Sequence, residues 1–190
     1  HPKFAGQYTQ GGGDYQSTDY MWRLTEEKGF DDPRARYYFY RQSLTNTTNP
    51  AEQECITQLP PPQYLIGDFP YCNPGTRGYW GRDHLDPDGI PPDGLKRSAY
   101  GPFPAGGRFD NNSGAPVNSI TLGMRGAGLH PIMLSSYVDF MLAEAALTLN
   151  TTGDPKALML SGIEKHMNYV RAFAVSGPEA AVINTFEPAA

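Results

Sequence analysis

The chain has 190 residues, 39% hydrophobic and 18% charged, with a formal net charge of −5 and a pI near 5.3. That suits one domain with a modest core, and the acidic balance offers no basic field to recruit phosphates, so no nucleic-acid partner is expected. No apolar run reaches the roughly 18 residues of a membrane span, and glycine (21) with proline (18) makes about a fifth of the chain, which predicts long ordered loops.

The chain opens at "HPKFAGQYTQGGG", without a Met or a signal-peptide pattern, and is expected to be a piece of a longer protein. The first predicted element is a short helix over "STDYMWRLTEEKG", with Ser17 or Thr18 as cap and Gly29 as its end. In "DDPRARYYFYRQ", Asp31 and Asp32 before Pro33 read as a turn. Residues 36 to 41 are aromatic and predict a strand. Residues 43 to 130 carry repeated turn signals ("PPP", "NPG", "PDG", "PAGG", "NNSG") and little regular structure. Within them, Cys55 and Cys72 bracket "CITQLPPPQYLIGDFPYC". Their spacing is no zinc pattern; in an exported protein they predict a disulfide worth about 3 kcal/mol in the chain-entropy model, the alternative being two unrelated buried thiols.

The character changes near residue 130. "HPIMLSSYVDFMLAEAALTLN" predicts a helix with Pro131 at its first position. Leu134, Val138, Met141, Ala145 and Leu149 recur at helical spacing, and apolar residues surround most of the circumference, so burial on several sides is expected. Glu144 on it then needs a cationic partner, with Arg36 and Arg125 as candidates. After "TTGD", Asp154 caps a second helix with Pro155 at its first position and Leu158, Ile163, Met167, Val170 and Phe173 on its apolar side. So short a link makes the two helices an antiparallel hairpin, closely packed through Ala143, Ala145, Ala146 and Gly162. Such a hairpin needs further helices against its outer face, as in stacked helical repeats. The expected organisation is a loop-rich region over 1–130 and a helical hairpin over 131–175.

The densest chemistry lies in "YWGRDHLDPDGIPPDG", residues 79 to 94. As a glycosidase site, two of Asp83, Asp86, Asp88 and Asp93 would act as acid and nucleophile or base, at about 5 to 10 Å with one pKa raised by burial. Neighbours in a polar turn are solvated, which argues against such a shift. As a calcium loop, the register fails: with Gly89 at the sixth position, His84 falls at the first, and position 95 is Leu95 where a Glu is required. As a ligand platform, Tyr79 and Trp80 would pack the C–H face of a sugar while Arg82 and Asp83 bond its hydroxyls. In the competing reading Tyr79 and Trp80 fill the core, and Arg82 and Asp83 pin the loop. "GMRGAG", residues 123 to 128, lacks the context of a phosphate loop and more simply lets backbone pass close to packed elements. His1, His84, His130 and His166 have no ligand spacing, and His166 reads as a surface or interhelix residue. An irregular calcium site stays open as an alternative, no metal ligand is assigned, and no cofactor is expected.

Three stretches together resemble one family. "SSYVDFMLAEAAL" followed by "ALMLSGIEKHMNYV", "GYWGRDHLDPDGIPPDGLKRSAYGPFPAGGRFD" and "DDPRARYYFYRQ" are similar, in order and spacing, to the C-terminal part of SusD/RagB-type nutrient-binding outer-membrane lipoproteins. The resemblance covers roughly residues 12 to 175. It implies a mainly α fold with long irregular loops, the hairpin being tetratricopeptide-like and part of a larger α-superhelical domain. It implies a surface-exposed protein of the outer membrane, lipid-anchored through an upstream cysteine not in this chain. It implies binding of a glycan or other nutrient for delivery to a SusC-like TonB-dependent transporter, without enzymatic turnover. The competing function is a secreted glycan-active hydrolase using the aspartate-rich loop.

Overall fold

The aromatic segment after Asp32 is the spine of the molecule, and it is not the strand its composition predicts. Asp32 sets a turn: its main-chain oxygen accepts from the Ala35 N–H (2.9 Å) and its carboxylate accepts from the Arg34 N–H (2.9 Å). The turn runs into one helical turn, α2 (Ala35–Tyr38), and only then into the two-residue strand β1 (Phe39–Tyr40). Burial explains the departure. Tyr37, Tyr38 and Phe39 all enter one core, which a strand alternating its side chains cannot achieve. Only at Phe39 and Tyr40 does alternation hold, and Tyr40 joins a second core with Phe4, Tyr8, Ala99 and Val117.

The computed structural model describes residues 1–10, 16–17, 20–21, 23–27, 32–44, 79, 81 and 97–187. Among these the chain is partly helical, with one small sheet. It begins with α1 (Pro2–Gln10), where no helix is predicted. Gly6 makes this a weak helix by propensity, but Phe4, Gln7 and Tyr8 fall at i, i+3 and i+4 and are all buried. Gln7 accepts from the Tyr100 N–H (2.6 Å), and the Tyr8 hydroxyl donates to the Tyr100 carbonyl (2.7 Å). The helix predicted from Ser17 is helical in its described parts: residues 20–21, then a π-helical turn, Arg23–Glu27. Ser17 accepts from the Tyr20 N–H at 3.5 Å, a long capping bond.

Strand β2 (Ala99–Tyr100) pairs antiparallel with β1, Phe39 opposite Tyr100 and Tyr40 opposite Ala99. The irregular segment after it is held by its own backbone. Gly107 donates to Gly101 (2.8 Å), Met124 to Gly107 (3.1 Å), Gly126 to Gly106 (3.0 Å) and Leu129 to Pro104 (2.8 Å). The loop is therefore ordered by hydrogen bonds rather than by a repeating element.

The hairpin is present as α3 (Ser135–Thr148) and α4 (Pro155–Ala174), followed by the short α5 (Ala180–Phe186). Asp154 caps α4 as predicted, accepting from the Lys156 N–H (2.9 Å), with Pro155 at the first position. Its buried stripe is Gly162, His166, Val170 and Ala174, flanked by half-buried Leu158, Ile163, Met167 and Phe173. Three expectations for α3 are corrected. It starts at Ser135, four residues after Pro131: Leu129 is tied to Pro104, and Leu134, the residue before the helix, is still extended. The face against α4 is Ser136, Asp139 and Ala143, whereas Val138, Met141 and Leu149 of the predicted stripe are 41%, 49% and 73% exposed. Glu144 is exposed and needs no buried cation; Arg36 instead donates to the Asp110 carbonyl (2.8 Å). The helices are pinned by polar groups: Asp139 accepts from Ser161 (2.8 Å) and pairs with Lys165 (2.7 Å). Lys165 and then Ser161 hold the Asp139 carboxyl below its ordinary pKa. Gly162 lies under the Phe140 ring, the close approach its lack of a side chain allows.

Candidate functional site

The turn at Asp32, the β1–β2 pair and the start of the hairpin converge on one open cleft of about 580 Å³. That lies within the roughly 300–1,000 Å³ of small-molecule sites. Its walls are aromatic. Tyr20 stacks on Tyr38 with centroids 6.4 Å apart and planes at 27°, and meets Phe39 edge-on at 5.9 Å. Tyr38 packs beside Phe103 at 5.7 Å, and Phe103 is braced edge-on by Tyr169 (6.0 Å) and Phe173 (5.8 Å) from α4. Tyr38, Phe39 and Phe103 are buried, whereas Tyr20 is 49% exposed and presents its surface to solvent.

Polar groups enter this apolar wall at three points. Arg34 forms a bidentate pair with buried Asp32, through Nε (2.9 Å) and Nη2 (2.6 Å). His166 bridges two elements: Nε2 meets the Tyr38 hydroxyl (2.8 Å) and Nδ1 meets the Ser136 hydroxyl (3.3 Å), with Tyr137 stacked at 6.2 Å. Both ring nitrogens thus find a hydroxyl, which makes His166 an interhelix residue, one of the two places its sequence context allowed. Gln16 lines the cleft, is 8% exposed, and its Nε2 has no partner among the described residues. A buried amide left so costs about 1–3 kcal/mol.

Burial pushes the Tyr38 and Tyr20 hydroxyls above the ordinary tyrosine range, so both stay protonated hydrogen-bonding groups. Burial first, and then the Arg34 charge, push His166 below its ordinary value, with Asp32 opposing. The groups around it are Tyr38, Tyr137, Arg34 and Asp32. Because the folded state resists charging this imidazole, its contribution to stability is full above about pH 6.5 and falls as pH drops toward the lowered folded value. Glu179 acts with the opposite sign, since burial raises its pKa and its contribution declines as pH rises. Thermal unfolding at pH 7.5 and pH 5 in the wild type and in His166→Gln isolates the histidine. The wild type should lose more stability on acidification than the variant, and parallel losses would refute the assignment.

The residues singled out from sequence lie elsewhere. Tyr79 is 6% exposed and sits in the core against Phe39 (centroids 5.5 Å), with the Arg41 guanidinium 5.2 Å from its ring. It therefore fills the core, the competing reading of that loop, and is no platform. Trp80, Arg82, Asp83, the later aspartates and the Cys55–Cys72 pair lie outside the described residues. Gly81 is described, and its backbone lies close against the Gln16 carbonyl and Met21. Among the described residues no cluster of three His, Cys, Asp or Glu side chains is placed to hold a metal, and no helix is long and apolar enough to cross a membrane. Sequence reasoning did not find Gln16, Tyr20, Tyr38 or Phe103 as one site. The available signal was the recurrence of aromatics around the predicted helix and the "RYYFY" run, read there as secondary structure.

Comparison with protein-family models, with curated proteins and with solved structures finds no match to this chain.

Proposed function

We propose that this chain is part of a SusD/RagB-like nutrient-binding lipoprotein, which captures a glycan at the cell surface and hands it, unaltered, to a SusC-like TonB-dependent transporter. The observation that carries the reading is the rigid aromatic cleft with the half-exposed ring of Tyr20 at its mouth. Sugar rings present flat C–H faces, and an aromatic wall held by its neighbours binds them at little entropic cost. The hairpin supports the architectural part of the proposal. Its outer face leaves Met141, Leu142, Leu147, Met159 and Leu160 about half exposed or more, an apolar surface suited to packing in a tetratricopeptide-like superhelix. The hydrolase alternative gains nothing from the cleft, since no described side chain lining it is a carboxylate.

Tyr20→Ala in the complete protein is expected to weaken glycan binding about ten- to thirtyfold, the loss typical of a central aromatic contact, with little change in melting temperature. Titration calorimetry against the glycans the cells grow on reads this directly. Unchanged affinity would remove the cleft from the binding site, and shortened glycan products would replace capture by hydrolysis.

A further inference from the structure

Arg34 brings a full positive charge to the lining of the cleft, and Asp32 holds it from behind. The Nε–Nη2 edge of the guanidinium is taken by the Asp32 carboxylate, at 2.9 and 2.6 Å. That leaves the neighbouring edge, Nη1 with the second hydrogen of Nη2. No described group bonds Nη1, and it is not a buried atom: solvent reaches it. The Arg34 side chain is 20% exposed against 2% for Asp32, which does not line the cleft.

The ion pair sums to zero charge, but its two ends are unequally placed, the cation toward the cleft and the anion behind it. Three groups of the cleft register the difference. At Tyr20, Tyr38 and His166 the Arg34 charge favours loss of the proton more than Asp32 opposes it. The pair therefore gives the cleft a positive potential. The open edge also has a shape. Two parallel N–H groups on a rigid plane match two oxygens borne on one atom, as in a carboxylate or a sulfate, and such charge-assisted bonds are roughly twice as strong as neutral ones. Asp32 accepts from the Arg34 main-chain N–H (2.9 Å) as well as from the fork, so the guanidinium is held in place before a ligand arrives and loses little freedom on binding.

We propose that the cleft takes an acidic glycan, its carboxylate or sulfate received by Arg34 Nη1 and Nη2 while a sugar ring packs on Tyr20. This rests on the glycan-binding reading above, and it makes Arg34 a ligand-binding residue.

Calorimetric titration of the complete protein with paired hexasaccharides tests it: hexagalacturonate against the galactose hexamer, hexamannuronate against the mannose hexamer, and a sulfated galactan hexamer against the unsulfated one. At least one acidic member should bind about tenfold or more tightly than its neutral counterpart, and the arm that responds tells carboxylate from sulfate. Arg34→Gln should bring that affinity down to about that of the neutral counterpart. Because Gln leaves Asp32 without its cation, Arg34→Lys is the second variant. It keeps the charge beside Asp32, loses the flat two-donor edge, and should still weaken acidic binding about tenfold. Wild-type affinity for the acidic hexamer in either folded variant, or unfolding of both, assigns Arg34 to the fold alone and overturns its role. Equal or tighter binding of the neutral members by the wild type needs no variant; it overturns the acidic selection and leaves the glycan reading standing. Binding of none of the six by folded protein overturns that reading itself.

Discussion

Asp110→Ala is expected to destabilise the protein by about 3–5 kcal/mol, the cost of leaving a buried cation without its partner. Asp110 is fully buried and Arg41 is 4% exposed. The Arg41 guanidinium donates through Nε to Oδ2 (2.7 Å) and through Nη2 to Oδ1 (3.2 Å). The same carboxylate accepts from the Asn112 N–H (3.0 Å) and the Arg41 N–H (3.3 Å). Its hydrogen bond to the Tyr79 hydroxyl adds to burial in pushing that group far above the ordinary tyrosine range. Removing the carboxyl therefore strands a charge and several donors at once. Against total stabilities of about 5–15 kcal/mol, the loss takes a large share of the fold. Urea unfolding of the wild type, Asp110→Ala and the double variant Arg41→Met/Asp110→Leu measures it. The double variant should recover much of the loss, because it removes both charges together. A single-variant loss below about 1 kcal/mol would show that water reaches the pair.

That ion pair joins two of the three stretches on which the family resemblance rests, Arg41 next to last in "DDPRARYYFYRQ" and Asp110 closing "GPFPAGGRFD". The described parts of both are structural staples. The first fills the core with Tyr37, Tyr38 and Phe39, and the second supplies Phe103, Phe109 and the carboxylate. Residues of such types at such spacings reflect packing more than ligand contact, which is why reading them locally for a site pointed to Tyr79 and missed Tyr20.

What was legible in the sequence is what local chemistry dictates. Asp154 before Pro155 and the four-residue link define the hairpin because a cap and a chain reversal need only neighbouring residues. The turn at Pro33 is legible for the same reason. The face of α3 was not. Apolar residues surround it, so periodicity selects no side, and the side facing α4 is decided by Asp139 meeting Ser161 and Lys165. The strand expected over residues 36 to 41 holds only at Phe39–Tyr40, because β propensity measures fit to a half-buried pleat, and three consecutive aromatics here enter a single core. The cleft was least legible. Its lining comes from segments near residues 16–20, 34–39, 100–104 and 137–166, and no period or spacing announces their meeting.

Gly123→Ala is expected to cost about 2–5 kcal/mol, through two separate mechanisms at one atom. Gly123 has φ 61°, the left-handed region where an L side chain meets the following carbonyl, which costs about 1–2 kcal/mol. A methyl there would also overlap the Gly107 carbonyl, the group that accepts from Met124 at 3.1 Å. Gly107 cannot give way, because its own missing side chain faces the Tyr100 carbonyl and it donates to Gly101 (2.8 Å). Overpacking of so confined a contact adds about 1–3 kcal/mol. "GMRGAG" is thus a packing device, as its lack of a phosphate-loop context suggested. Gly114 provides the comparison. Its φ of 58° is nearly the same, and a methyl there meets chiefly the Leu44 side chain. Gly114→Ala should therefore show the same backbone strain against a neighbour that can give way. Chemical unfolding of both variants should place Gly123→Ala at least about 1 kcal/mol below Gly114→Ala. Equal losses would assign the whole effect to φ and release the 101–107 and 123–129 segments from the close contact that holds one wall of the cleft in place.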